Sequence, residues 1–207
     1  MTTRSLFSPK SLCLAALLCA ACGARAEITV YTDYNAFMSA ISAPGVDTYD
    51  DLSYTGYPDT LYRNAGAYSY QAYSEAGLFG AGTPGDGWLS NNHTRAPIVF
   101  SNFSGGVNAF GGNFFASDLT GDFLPEGSVV LTAIDGSAIT YTVIGATQDS
   151  FLGFVSSAPL LAVTLSAAEE YWPAANNVVL AVPEPATYGM LLAGLGMVGV
   201  AVRRRGG

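Results

Sequence analysis

The chain has no lysine after Lys10, no cysteine after Cys22 and a single histidine, His93. Each shortage closes off chemistry. Without thiols, the long central region has no disulfide and no Cys-ligated zinc, so its stability must come from its core. One histidine cannot build a His-rich zinc site, and no His-Glu-x-x-His pattern is present. A Ser-His-Asp triad would have to use His93, which sits in the polar run Asn91-Asn92-His93-Thr94 with nothing local to support it. No Gly-x-Ser-x-Gly elbow occurs either.

Positive charge is equally scarce. Between Glu27 and Val182, only Arg63 and Arg95 stand against fifteen carboxylates, a net charge of −13. A surface of that sign repels nucleic acid and anionic membranes, so neither is expected as a partner of this region; it attracts Ca²⁺ or basic partners. Acidic composition also serves solubility alone.

The basic residues concentrate at the two ends. Arg4 and Lys10 precede an apolar core, Leu12–Ala21, and Ala24-Arg25-Ala26 forms a small-x-small cleavage site. This is the layout of a signal peptide over residues 1–26, removed by signal peptidase to leave Glu27 first. Cys22 offers a competing lipoprotein reading, although Cys19 stands where leucine is usual.

At the other end, Val182-Pro183-Glu184-Pro185 is followed by an uncharged run from Ala186 to Val202, then Arg203-Arg204-Arg205. As a helix, 17 residues span about 25 Å, the short end of what a bilayer core accepts. The prolines place the helix start after them, and the arginines set a cytoplasmic end. This tripartite tail, residues 182–207, resembles the PEP-CTERM sorting signal of exported bacterial proteins. The resemblance implies a precursor anchored in the inner membrane and cut by an exosortase near Pro183-Glu184-Pro185. The product then goes to the cell surface or outside, in association with exopolysaccharide.

Residues 27–181 suit one domain. Ile28–Tyr31 predicts a first strand, and Asp33 predicts the cap of a short helix over Tyr34–Ile41, ended by Pro44-Gly45. Short runs bounded by turn residues predict strands at Ile98–Phe100, Val107–Phe115, Ser128–Ala133, Ile139–Ile144, Phe151–Val155, Leu161–Leu165 and Val178–Val182. Asp135-Gly136 predicts a tight hairpin. No long helical periodicity occurs between 45 and 182, so the expected fold is all-β: an antiparallel sandwich or jelly roll with one short N-terminal helix. The order of features is similar to a β-sandwich group among PEP-CTERM ectodomains. Those features are the Phe-containing helix, an acidic strand Asp47–Leu52, Ala-Phe-Gly-Gly-Asn-Phe-Phe (109–115), Gly-Phe-Val-Ser-Ser (153–157) and a final Asn-Val-Val-Leu strand. That group often has Asp before its last strand; here Asn176-Asn177 takes the place.

Two candidate sites remain. Asp47, Asp50 and Asp51 are candidate hard oxygen ligands for Ca²⁺, as are Asp118 and Asp122. Seven tyrosines crowd into residues 49–73, and Tyr68, Tyr70 and Tyr73 with Trp88 are the candidate platform for stacking on sugars. Alternation of Tyr68 and Tyr70 equally suits a strand facing a core. Carboxylate pairs such as Asp50-Asp51, Asp118/Asp122 and Glu169-Glu170 do not by spacing alone make a glycosidase. The expected function is a non-enzymatic surface or matrix protein. A lectin-like module is the alternative, and a glycan-processing enzyme a more distant one.

Overall fold

A computed structural model of the chain describes residues 27–168 and 170–183. The expected signal peptide at 1–26, Glu169, the residues from Glu184 on and the expected span at 186–202 lie outside the described residues. Among those described, no helix is long and apolar enough to cross a membrane.

The described residues form fourteen strands and one helix, beginning with β1 Ile28–Tyr31, α1 Tyr34–Ser39, β2 Ile41–Asp47, β3 Thr55–Tyr57, β4 Thr60–Ala65, β5 Tyr68–Tyr73, β6 Leu78–Thr83 and β7 Asp86–Asn91. The second half comprises β8 Ile98–Ser101, β9 Ala109–Ser117, β10 Val129–Ile134, β11 Ala138–Val143, β12 Phe151–Ser156, β13 Ala162–Ala167 and β14 Trp172–Pro183. One sheet runs β1-β12-β9-β14-β7-β6-β3, with β2 also paired to β14; the other runs β11-β10-β13-β8-β5-β4. Every pairing is antiparallel. The expected all-β sandwich with one short helix is the fold observed.

The two sheets close over an aromatic core. Phe100 and Phe110 meet at 5.1 Å between ring centroids, and Phe110 stacks on Phe114 at 5.9 Å; on the opposite face of β9, Trp88 packs edge-on to Phe115 at 5.3 Å. In the six-stranded sheet the alternation is regular: Leu131, Val163, Ile98 and Tyr70 point in, while Thr132, Thr164, Val99 and Tyr73 point out. The outer face carries no acidic or basic side chain. Its central row runs Thr60, Tyr73, Val99, Thr164, Thr132, Thr140 across six strands.

A second, smaller core lies on the outer face of the larger sheet. Here Phe37 of α1 packs with Ile41, Ala109, Phe151, Val179 and Ala181. Asp33 caps α1 as predicted, its Oδ1 accepting from the Ala36 N–H at 2.7 Å. The helix is shorter than predicted, ending at Ser39, and Ile41 begins β2. Pro44-Gly45 lies inside that strand and does not terminate the helix. Proline is tolerated there because β2 is irregular: its register with β14 shifts, and Ala43 has φ 49°. The expected acidic strand Asp47–Leu52 is also corrected. Only Asp47 belongs to a strand, and Tyr49 turns the chain at φ 60°.

Candidate functional site

The acidic cluster is an ion-pair knot. Arg63 on β4 donates from Nε and Nη2 to Asp47 at 2.9 and 2.6 Å, and from Nη1 and Nη2 to Asp51 at 2.8 and 2.7 Å. Tyr70 donates to Asp47 Oδ2 at 2.7 Å, leaving Tyr49 to donate its proton to the Tyr70 oxygen at 2.6 Å. The guanidinium also lies 5.2 Å from the Tyr49 ring centroid. Asp47 is buried, whereas Asp51 is exposed and its carboxyl sits below the usual range because of Arg63's hydrogen bonds. Asp50 instead accepts from the Gly87 N–H at 3.1 Å. The three candidate calcium ligands therefore do not converge: two hold Arg63 and the third is tied to β7. Among the described residues, no group of three His, Cys, Asp or Glu is placed to hold a metal. Asp118 closes its own turn, its Oδ1 accepting from Thr120 and Asp122, and Glu170 pairs with Arg95.

The tyrosine platform is corrected as well. Tyr68, Tyr70 and Trp88 are all in the core, and buried rings cannot stack on a sugar. Tyr68 uses its hydroxyl on the Ala43 carbonyl at 3.0 Å. Tyr73 alone of the four is exposed.

A groove opens elsewhere, beside α1, running from the uncovered part of the larger sheet's outer face to the edge of the sandwich at β11. Two adjoining clefts of about 640 and 320 Å³ share Tyr34, Asp149 and Phe151. Tyr141 and Thr142 of β11 line the larger one; Asn113 and Asn177 line the smaller. Tyr34 and Tyr141 are both partly exposed, and Tyr34 stands edge-on to Phe151 at 5.4 Å. A tight turn, with Ser150 N–H donating to the Thr147 carbonyl at 2.9 Å, presents Asp149. Asn177 is aimed by a bulge in β14: the register with β9 shifts between Asn176 and Val179, and Asn177 takes φ 49°. Its amide donates to Asn113 Oδ1 at 3.3 Å. Bulges re-aim side chains in this way and recur beside binding sites.

Sequence reasoning missed Tyr34, Tyr141, Asn113 and Asp149 as a group, because they come from four separate stretches of chain. The one available signal was Asn176-Asn177, an irregular pair ahead of the last strand.

Fold and site thus define an antiparallel β-sandwich with an amide- and tyrosine-lined groove on one outer face. Residues 181–205 match the family model of the PEP-CTERM protein-sorting motif, so the chain carries that motif. The motif marks an exported protein handled by an exosortase and sorted to the surface. No curated protein and no solved structure matches the chain.

Proposed function

We propose that the exported sandwich is a non-enzymatic saccharide-binding protein that associates with exopolysaccharide at the cell surface. The groove carries this reading. Tyr34 and Tyr141 line it with partly exposed rings suited to the C–H side of a sugar, and Asn113, Asn177 and Asp149 offer donors and acceptors to its hydroxyls. Such a mixture, apolar walls with a few placed polar groups, is the usual make-up of a small-ligand site. Of the two carboxylates lining the larger cleft, Asp33 already caps α1, which leaves Asp149 without a second carboxylate free to act as its partner in hydrolysis.

The test is titration of the secreted, processed protein with the host's own exopolysaccharide, with calcium and with chelator. Saturable binding in both conditions is expected, weakened about tenfold by Tyr34→Ala, as loss of about 1.4 kcal/mol of stacking dictates. Absence of binding, or binding untouched by Tyr34→Ala and Tyr141→Ala, overturns the assignment. Release of oligosaccharides during the titration overturns the non-enzymatic part.

A further inference from the structure

The sorting motif does not begin where the domain stops. Its matched residues start at Ala181, whereas β14 continues to Pro183. Ala181 is fully buried, lies opposite Ala109 of β9, and its carbonyl accepts from the Asn108 N–H at 3.2 Å. Val182 is paired with Ser42 and Pro183 with Ile41 of β2, and Ser42 Oγ donates to the Pro183 carbonyl at 3.3 Å. The first proline of the recognition motif is therefore already part of the folded sheet.

From this we infer that the folded sandwich limits where the tail is cut: the scissile bond lies on the C-terminal side of Pro183, and β14 leaves the membrane whole. A peptide-cleaving site takes its substrate as an extended strand free of other pairing. Bonds before Pro183 become free only if β14 peels from both β9 and β2, stripping Ala181 and Ile41 from the core around Phe37. In the step itself one amide C–N bond breaks. The carbonyl carbon passes to water or to another hydroxyl or amine acceptor, and the nitrogen leaves on the tail as a free amine. No electron transfer is involved. The inference stands on the sheet register and holds whether or not the groove binds saccharide.

Tandem mass spectrometry of the processed protein, made as the full chain in an exosortase-bearing host, identifies the last retained residue. The expected residue is Pro183 or a later one; a product ending at Val182 or earlier overturns the inference. A second measurement uses Ser42→Cys with Val182→Cys. These residues are register partners, at a spacing an antiparallel pair and a disulfide share, and the native cysteines all lie at or before Cys22. The cross-linked precursor is expected to be cut at the same bond, at a rate within twofold of the reduced form. A cross-linked precursor that stays uncut while its reduced form is processed shows that β14 must peel, and the inference fails.

Discussion

Gly111 and Gly153 are Cα partners across β9 and β12, and the Phe37 ring lies over both. A methyl group at Gly153 would meet the ring at 2.4 Å, and one at Gly111 would meet it at 3.0 Å. Three sequence features that seemed separate thus meet at one point: the early Phe-containing helix, the Ala-Phe-Gly-Gly run and the Gly-Phe-Val run. The glycines flatten the sheet so that α1 can sit on it. That seat in turn sets Tyr34 beside Phe151 at the groove.

Gly153→Ala is therefore expected to cost about 1–3 kcal/mol by overpacking, and Phe37→Ala about 3–5 kcal/mol by opening a cavity. In the double variant the methyl no longer meets a ring, so the losses fall short of their sum by more than about 0.5 kcal/mol. Urea unfolding of the three proteins checks this; simple additivity would show that the ring does not rest on Gly153.

Arg63 is the second dependence. Both Asp47 oxygens and both Asp51 oxygens receive its donors, and Asp47 is buried. Arg63→Met leaves a buried carboxylate unpaired, for which about 3–5 kcal/mol of lost stability is expected. Arg63→Lys keeps the charge but not the fork, and should lie between the variant and the parent. A lysine variant as stable as the parent would show that charge alone suffices.

How much of this was legible in the sequence depended on what each strand buries. β8, β10, β12 and β13 were legible because aliphatic or phenylalanine side chains alternate or run together in them. The Asp33 cap and the Asp135-Gly136 hairpin between β10 and β11 were legible from local chemistry. β3 to β7 were not, because their buried positions include Tyr68, Tyr70, Ala72, Gly80 and Trp88, residues that a polar surface could equally carry. Tyr70 is buried only because Asp47 and Tyr49 arrive from elsewhere to satisfy its hydroxyl. The groove was hidden for a different reason. Asn113 and Asn177 meet through a bulge that one-strand periodicity does not reveal.

Asn177 separates stability from binding. Its φ of 49° suits Asn or Gly and strains a β-branched residue. Asn177→Val is expected to lose about 1–2 kcal/mol of stability. Asn177→Gly should stay within about 0.5 kcal/mol of the parent while weakening saccharide binding several-fold, since only the amide has gone. Unfolding and binding titrations on the same two proteins distinguish these effects. Full binding by the glycine variant would remove Asn177 from the site.

The two buried tyrosines predict the response to alkali. Burial first, then the nearby Asp47 carboxylate, pushes the Tyr49 hydroxyl well above its ordinary value; burial does the same to Tyr70, helped by its neighbours Tyr49 and Asp47. In the unfolded chain both ionise near pH 10. A folded-state value above the unfolded one means that the stability from these groups is fully present below about pH 10 and declines as pH rises past it. Absorbance near 295 nm should accordingly show Tyr49 and Tyr70 ionising only in a cooperative step that coincides with loss of the near-ultraviolet circular dichroism. Tyr70→Phe removes the proton donor to Asp47 and should lower the pH of that step by weakening the knot. Ionisation of Tyr49 and Tyr70 with the fold intact would mean that they are open to solvent, contrary to the packing described.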